Sequence, residues 1–504
     1  MYYNTSAMPT KIVKNSPIPG EIVAIVETLE KAGFQAFLVG GCVRDLFLGR
    51  IPKDWDVTTN ATPEQIQGLF VKTVYENVFG TVVVINEVTE DLTLRNVEVT
   101  PYRLESNYSD RRHPDKVKFS DRIENDLQRR DFTVNAVAVS LSNGAIKDII
   151  DLYSGFADIK DKTIRTVGRA QDRFNEDALR MIRAVRFAVE LGFTIEKDTF
   201  SAIKSLSQTI KEISIERIRE ELVKIIMSPA PKLGIELLQE TGLLKYFIPE
   251  LESGIGVQQN QAHVFTVWEH LLRSLQHAAD SNWGLEIRLS ALFHDISKPQ
   301  TKGVSQETKQ PTFYGHEIVG SRETRKILQR MKFSREITEK VTKLVRWHMF
   351  FADTEMITLS AVRRMIVNVG KDNIWDLMNV RICDRIGTGR PKADPYRLRK
   401  YKSMVEEALR DPVSVGMLKI DGKRIMEIGE ISAGPKVGLI LNALMEEVLD
   451  NPKLNTIKYL EEKSRKLFTL PENELIKLAE KGREKREEVD EENLKEIRKK
   501  HFVQ

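Results

Sequence analysis

The chain has 504 residues, of which 41% are hydrophobic and 30% charged, so it is long enough for several folded domains. Its 77 basic and 73 acidic residues leave a net charge of +4, which permits a polyanionic partner without requiring one. No apolar run is long enough to predict a membrane helix, and two cysteines cannot form a disulfide framework. We therefore expect a cytoplasmic protein with no membrane partner.

The first part of the chain alternates between strand-like and helical patterns. Residues 1–20 are typical of a loose leader, and residues 21–33 have the apolar spacing of a helix. Strands are predicted at residues 34–39, 55–59, 81–85 and 97–100. The polar stretch between Tyr102 and Phe119 predicts a long loop.

Strand patterns end near residue 153 and helical patterns follow. Glycine-rich or polar stretches at 252–261 and 387–394 predict two further boundaries. The predicted divisions are a leader at 1–20, a strand-rich head at 21–152, and helical segments at 153–252, 253–390 and 391–504.

A glycine turn and two acidic residues form the first candidate site. Gly40 and Gly41 follow a predicted strand, and glycines there let backbone N–H groups approach a phosphate closely. Arg44, in the same segment as the two glycines, is a further candidate nucleotide-binding residue, and ten residues after it come Asp54 and Asp56. Because residues two apart on a strand share a face, both carboxylates are expected in one site, where a divalent cation such as Mg²⁺ would relieve their repulsion.

Glu98 is the candidate third carboxylate, since it lies on another predicted strand of the head. The alternative is that Glu98 is a surface residue of that strand. Metal ions held by three such carboxylates would activate an attacking hydroxyl and neutralise charge on a leaving pyrophosphate. The pattern therefore predicts metal-dependent nucleotidyl transfer.

Five segments carry a family resemblance: LVGGCVRD, DWDVTTNATPEQI, RRDFTVNA (129–136), DLYSGFADIKDKTIRTVG (151–168) and FNEDALRMIRAVRFA (174–188). In this order they resemble the class II tRNA nucleotidyltransferase and bacterial poly(A) polymerase family. The resemblance implies an α+β fold. A small polymerase-β-like nucleotidyltransferase head on a mainly β-sheet core would be followed by an all-helical neck, an HD domain and a tail that docks tRNA.

The same resemblance implies roles for the residues of two motifs. In the first, Arg130 would contact the nucleotide and Asp131 the sugar hydroxyls, with Asn135 in the same nucleotide-binding segment. In the second, Glu176, Asp177 and Arg180 resemble the amino-acid template that reads the incoming base. A carboxylate accepts hydrogen bonds from an exocyclic amine while arginine donates to ring nitrogen and carbonyl, which suits cytosine or adenine.

Helical spacing around the second motif supports part of this interpretation. Asp177, Arg180 and Arg183 would share one side of a helix, opposite an apolar side. Arg186 falls on the apolar side, where an unpaired charge is costly, so we expect it to stack or pair internally. The resemblance also places Arg183 and Arg186 near the nucleotide.

The predicted function is addition of CCA to the 3′ end of tRNA from CTP and ATP. The segment Arg103 to Phe119 matches the flexible segment of family members that add the terminal A, which favours CCA-adding or A-adding activity over CC-adding activity. An A-adding enzyme and a poly(A) polymerase remain alternatives of the same class.

A second candidate site combines histidines with acidic residues, and a dipeptide of His294 and Asp295 follows an apolar helix. The candidate ligands are His270, His294, Asp295, His316, His348 and Asp384. Imidazoles and carboxylates suit a transition metal, and six ligands are enough to bridge two ions. The segment resembles the HD superfamily of metal-dependent phosphohydrolases, with Ser297 where glycine is typical. The first ligand is His270 or His263, and phosphohydrolase activity is the alternative function of a different class.

Overall fold

The computed structural model describes residues 2–4, 18–75, 80–106, 116–259, 264–305, 309–350 and 357–479. The chain divides into two compact units, Met1–Phe247 and Ile248–Gln504. This division lies five residues before the predicted boundary at 252, and the finer division into five segments stays a prediction. Among the helices in the described ranges, none has the length and apolar character needed to cross a membrane.

The first unit is built on an eight-stranded mixed sheet with the order β1-β10-β9-β2-β3-β6-β5-β4. The strands in this part of the chain are β1 (Tyr2–Asn4), β2 (Ala36–Val39), β3 (Asp56–Thr59), β4 (Thr73–Tyr75), β5 (Val82–Ile85), β6 (Asn96–Pro101), β7 (Arg103–Ser106), β8 (Lys116–Phe119), β9 (Val137–Ser142) and β10 (Ala145–Asp151). Of these, β7 and β8 form a separate two-stranded sheet. Strands β3 and β6 run parallel, whereas the other neighbours in this sheet are antiparallel.

Helices cover the sheet and then form the rest of the first unit. They are α1 (Gly20–Lys31), α2 (Gly41–Phe47), α3 (Pro63–Leu69), α4 (Leu92–Arg95), α5 (Ile123–Gln128), α6 (Gly155–Lys160), α7 (Ala170–Glu176), α8 (Leu179–Leu191), α9 (Lys197–Leu206), α10 (Ile215–Met227) and α11 (Pro231–Glu240). Helix α1 buries the predicted apolar stripe, including Ile22, Val26 and Leu29. A parallel pair, β11 (Thr163–Ile164) and β12 (Thr194–Ile195), interrupts the helical part.

In the described residues of the second unit, the regular elements are helices apart from one antiparallel pair, β13 (Gly303–Val304) and β14 (Pro311–Thr312). Its helices are α12 (Pro249–Glu252), α13 (Val267–Asp280), α14 (Leu285–Phe293), α15 (Lys298–Thr301), α16 (His316–Arg330), α17 (Arg335–Trp347), α18 (Leu359–Val369), α19 (Ile374–Gly387), α20 (Tyr396–Ala408), α21 (Gly422–Gly429), α22 (Pro435–Asp450), α23 (Ile457–Phe468) and α24 (Glu472–Ala479). One apolar core is formed mainly by α18–α20, and another by α21–α24.

The predicted α+β class is confirmed, but three local predictions need correction. The stretch between Tyr102 and Phe119 contains β7 and β8, which pair as an antiparallel ladder, so the prediction of one long loop is wrong at both ends. Residues 107–115 between them lie outside the described residues. Within the leader, β1 pairs with β10 and is part of the sheet, although residues 5–17 lie outside the described residues. The helical parts are not wholly helical, because β11–β14 form two short ladders.

Candidate active site

A cavity of about 230 Å³ opens beside the central strands of the first unit. It is lined by Val39, Asp56, Val57, Thr81, Glu98, Thr100, Arg103, Arg129 and Arg130. Acidic residues and arginines therefore share one cavity. Such a lining can hold both a divalent cation and the phosphates of a nucleotide.

Two of the predicted carboxylates meet at this cavity because of the parallel pairing of β3 with β6. Asp56 is paired in register with Glu98, so their side chains stand next to each other on one face. Asp54 lies before the strand, which begins at Asp56, and is exposed. The prediction of a single strand carrying both aspartates is therefore wrong at its start, although the Asp54 charge still acts on Asp56.

The charges around Asp56 explain its titration. Burial raises the pKa of the Asp56 carboxyl, the Arg130 guanidinium lowers it, and the carboxylates of Asp54 and Asp126 raise it further, with a net increase. Several acidic groups thus oppose ionisation of Asp56, and a bound divalent cation would reverse that opposition. The oxygen donors fit a hard cation such as Mg²⁺.

The glycine turn packs directly against these charges. Gly40 has a φ of 84° and precedes α2, which begins at Gly41. A Cβ atom on Gly40 would lie 2.9 Å from Oδ2 of Asp56 and 3.1 Å from Nη1 of Arg130. Both the backbone conformation and the available space therefore require glycine at position 40.

A chain of hydrogen bonds joins four of the predicted nucleotide-binding residues. Nη1 of Arg44 donates to Oδ1 of Asn135 at 2.8 Å, and Nδ2 of Asn135 donates to Oδ1 of Asp131 at 3.3 Å. Arg183 donates to Oδ2 of Asp131 from Nε at 2.8 Å and from Nη2 at 2.6 Å. Burial raises the pKa of Asp131, but Arg183 and Arg180 outweigh it and lower the value to about 2. Asp131 is thus a fixed anion within this network.

The EDxxR motif spans a break between two helices. Glu176 is the last residue of α7, and Asp177 precedes α8, where its Oδ1 accepts a hydrogen bond from the backbone N–H of Leu179 at 3.0 Å. The prediction that Asp177 and Arg180 share one side of a single helix is therefore wrong. The motif is held by ion pairs instead, between Arg180 and Glu176 and between Arg217 and Asp177, the latter at 2.7 Å.

Arg186 is buried and paired inside the protein, as expected for a charge on an apolar helix side. Its Nε lies 3.2 Å from Oε2 of Glu221, and its guanidinium stacks over the ring of Phe187 at 4.1 Å. Glu221 also lies near Arg183. Arg217 and Glu221 of α10 were missed in the sequence because ion pairs between distant helices leave no spacing pattern.

Asp126 is a further residue that the sequence analysis missed. It is fully buried on α5 and accepts hydrogen bonds from Nε of Arg129 at 2.9 Å and from Nη2 of Arg130 at 3.0 Å. Its separation of three and four residues from the two arginines is the helical spacing of ion pairs and is the signal that would have indicated it.

In the second unit, the structure brings the six predicted ligands into two overlapping groups. One group contains His270, His294, Asp295 and Asp384, and the other contains Asp295, His316 and His348. Within each group the candidate ligand atoms lie within 4.8 Å of one another. We call these six residues the histidine cluster. His270 belongs to it, whereas His263 lies outside the described residues.

Asp295 is common to both groups because its two oxygens face different histidines. Oδ2 lies 3.0 Å from Nε2 of His270 and 3.3 Å from Nε2 of His294. Oδ1 lies 3.1 Å from Nε2 of His316 and 3.5 Å from Nε2 of His348. Asp295 could therefore contribute one oxygen to a metal ion in each group.

Backbone carbonyls orient three of these imidazole rings. Nδ1 of His294, His316 and His348 donates to the carbonyl oxygen three residues earlier in each case, at 2.9, 2.6 and 2.7 Å. Each Nε2 is then left unprotonated and turned toward Asp295 when the ring is neutral. In the described part of the chain, Nε2 of His316 and of His348 is buried without a hydrogen-bond partner, which fits a metal-ligand role.

Three known families match consecutive parts of the chain. Residues 36–165 match the Poly A polymerase head domain, and residues 192–255 match the family described as the probable RNA and SrmB-binding site of polymerase A. Residues 267–384 match the HD domain. The head and HD matches include the cavity residues and the histidine cluster, respectively.

One relative matches most of the chain, and another matches about half of it. A CCA-adding enzyme of Lactobacillus helveticus is 31% identical over 464 residues, which is 90% of this chain and 98% of the relative. A CCA-adding enzyme of Ligilactobacillus salivarius is 45% identical over 239 residues, which is 47% of this chain and 56% of the relative. The latter match therefore spans little more than half the length of that relative.

A solved structure shows the same fold at lower sequence identity. The crystal structure of the Bacillus stearothermophilus CCA-adding enzyme in complex with CTP superimposes with a TM-score of 0.65 and 29% identity. The match covers 90% of this chain and 98% of the other. The similarity thus includes the head and the helical remainder.

Proposed function

Because this chain belongs to the family of CCA-adding enzymes, we propose that it adds CCA to the 3′ end of tRNA from CTP and ATP. The reaction is attack of the tRNA 3′-hydroxyl on the nucleotide α-phosphate with release of pyrophosphate, without a nucleic-acid template. The observation that carries this proposal is the in-register pair of Asp56 and Glu98 in a cavity that also contains Arg129 and Arg130.

We assign metal binding to Asp54, Asp56 and Glu98. Bound Mg²⁺ would supply activation of the 3′-hydroxyl and neutralisation of charge on the pyrophosphate. The carboxylates would hold the cation, while glycine at position 40 lets the turn pack closely against Asp56 and Arg130. Burial and the carboxylates of Asp54 and Asp126 raise the pKa of Asp56, and a bound cation would offset the repulsion between these carboxylates.

The remaining residues bind and select the nucleotide. Arg130 binds phosphate, and Asp131 accepts hydrogen bonds from the sugar hydroxyls, in a position that Asn135 and Arg183 fix. Arg180 and Asp177 read the base edge by donating and accepting hydrogen bonds, respectively.

We call Asp177 and Arg180 the base-reading pair. Support for their role comes from the ion pair that each of these two side chains makes with another residue. Glu176 orients Arg180 and Arg217 orients Asp177, so neither Arg180 nor Asp177 is free to change rotamer without losing an ion pair. We assign docking of the tRNA body to the helical segment at 391–504.

Product lengths test this function directly. A tRNA that ends before CCA and a tRNA that ends in CC are incubated with labelled CTP and ATP. Addition of all three nucleotides to the first supports a CCA-adding enzyme, whereas addition of A to the second alone identifies an A-adding enzyme. Long A tails on unrelated RNA identify a poly(A) polymerase, and absence of incorporation contradicts all three.

The histidine cluster supports a second function, metal binding in the HD domain. Four imidazoles and two carboxylates fit a transition metal, which would supply activation of water for phosphate-ester hydrolysis. Metal analysis of the purified protein and of a His294→Ala variant tests the site. His277→Ala is the matched control, because His277 lies on α13 with His270 but packs against Trp283 outside the cluster.

Equal metal content in the wild-type and His294→Ala proteins would contradict metal binding. Hydrolysis of bis-p-nitrophenyl phosphate by the metal-loaded protein separately tests the hypothesis that the histidine cluster is a phosphohydrolase site. Loss of metal in His294→Ala without any hydrolysis in the wild type would assign the cluster a structural role.

A further inference from the structure

Asp126 is a buried carboxylate placed behind the two cavity arginines. It has no exposed surface, whereas the side chains of Arg129 and Arg130 are 18% and 17% exposed at the cavity. One Asp126 oxygen accepts from Nε of Arg129, and the other accepts from Nη2 of Arg130. A single carboxylate thus fixes both guanidinium groups from the protein side.

The opposite side of Arg130 faces the carboxylate assigned to metal binding. The position of a Cβ atom on Gly40 lies 3.1 Å from Nη1 of Arg130 and 2.9 Å from Oδ2 of Asp56. Arg130 therefore lies between two carboxylates, Asp126 behind it and Asp56 across the glycine turn. The same Nη1 atom donates a weak hydrogen bond, 3.4 Å long, to the carbonyl oxygen of Asn135. Asp126 is therefore the main partner that holds the Arg130 side chain.

The electrostatics show that Asp126 is ionised. Burial raises the pKa of the Asp126 carboxyl, but the Arg129 and Arg130 guanidiniums more than offset burial, so the pKa lies below its usual value. One negative charge then balances one of two positive charges. The three side chains together keep one net positive charge, and the exposed parts of both guanidinium groups lie at the cavity, where a nucleotide would bring its phosphates.

We infer that Asp126 is a positioning residue for nucleotide binding, which holds Arg129 and Arg130 toward the triphosphate and keeps Arg130 from pairing with Asp56. This inference rests on the proposed nucleotidyl transfer. Without the Asp126 charge, the Asp56 carboxylate across the glycine turn is an alternative partner for the Arg130 guanidinium. An ion pair between Arg130 and Asp56 would have two effects. Arg130 would no longer be available to bind phosphate, and Asp56 would no longer be available to bind the metal ion.

The test compares Asp126→Asn with a matched control, Asp158→Asn. Asp158 is also buried and paired with an arginine, Arg165, but it does not line the cavity. In steady-state assays with tRNA lacking CCA, Asp126→Asn is expected to raise the KM for both CTP and ATP by about tenfold. The KM for tRNA and the thermal stability are expected to change no more than in the control.

A mutant cycle shows whether Asp126 acts through Arg129 and Arg130. Asp126→Asn combined with Arg129→Ala and Arg130→Ala should have a nucleotide KM no higher than that of the Arg129→Ala, Arg130→Ala double variant, because both positioned groups are already absent. Additive effects would overturn the inference, as would equal increases in the KM for tRNA and for nucleotide. If Asp126→Asn does not fold, Asp126→Glu keeps the charge and displaces it by one methylene, and an unchanged nucleotide KM in that folded variant would contradict the role.

Failure of the proposed function gives a different result. In that case the wild-type protein incorporates neither CTP nor ATP, and the positioning role is overturned together with the reaction on which it rests. An active wild type with an Asp126→Asn variant of unchanged nucleotide KM leaves the polymerisation reaction intact and removes only the positioning role.

Discussion

The cavity of the first unit and the histidine cluster of the second bring their charged side chains together from different structural elements and at different degrees of burial. The cavity collects its carboxylates from two parallel strands and from the segment before one of them, and Asp54 and Glu98 are exposed. In the cluster, all six residues are buried and come from helices or their ends. An open site suits a cation that arrives with a substrate, whereas a closed one suits a cation that stays.

The cavity is also lined by arginines. Arg130 and Arg183 are paired with buried carboxylates in the head, whereas three of the four rings in the cluster are oriented by backbone carbonyls. Side-chain substitutions should therefore disturb the head more readily than they disturb the orientation of the imidazoles.

The largest effect is expected from removing the cavity carboxylate that lies in register with Glu98. Asp56→Ala should lower nucleotide incorporation by about a thousandfold, because it removes a ligand for the ions that stabilise the transition state. The metal content of the histidine cluster should not change. Incorporation assays and metal analysis of the same preparation measure both. Asp148→Ala, on β10 of the same sheet, is the control, and retained incorporation in Asp56→Ala would break the assignment.

A smaller loss is expected from filling the glycine turn. Gly40→Ala should lower kcat/KM by about a hundredfold, since a displacement of an ångström at the reacting groups has an effect of that order. Gly33→Ala separates this steric effect from backbone strain, because Gly33 also has a positive φ, 88°, with no atom within 4 Å of the added Cβ. Both variants should lose about 1–3 kcal/mol of stability in urea unfolding. Equal activities in the two variants would refute the steric explanation.

Acid titration sharpens the contrast in how charges are held. The pKa of Asp131 is about 2 in the folded chain against an ordinary value of 3.8. Its ion pair therefore contributes fully above about pH 4 and is lost as the pH falls toward 2, a contribution of about 2 kcal/mol. The difference in unfolding free energy between wild type and Asp131→Asn should shrink by that amount between about pH 5 and pH 2. A difference independent of pH would show that the pair contributes nothing.

The smallest effect is expected from loosening the base-reading pair. Arg217→Ala removes the partner of Asp177 and should reduce the preference for CTP and ATP over UTP and GTP by about tenfold, since the lost ion pair is a charge-assisted hydrogen bond. Competition assays with the four nucleotides measure that preference. Arg219→Ala, two residues further along α10, is the control. An unchanged preference in Arg217→Ala would mean that Asp177 keeps its position without Arg217.

The sequence predicted the parts of the molecule that depend on local patterns. The glycine turn, the strands around Asp56 and the apolar stripe of α1 follow from short-range spacing, and the histidine cluster follows from residue types in a recognisable order. The break at Asp177 was missed because two helices separated by two residues have nearly the same sequence pattern as one continuous helix. Arg217 was missed because its partner lies 40 residues away, and the β7–β8 pair because polar strands lack alternation.

The position of Asp177 has a consequence for engineering nucleotide preference. Its carboxylate satisfies the first free N–H of α8, and the same group is assigned to base reading. Replacing it to accept another base would therefore also weaken the start of the helix that carries Arg180 and Arg183. A substitution at position 177 changes nucleotide selectivity and helix stability at the same time. Redesign at this position therefore requires asparagine, which can also cap a helix, or a compensating cap elsewhere.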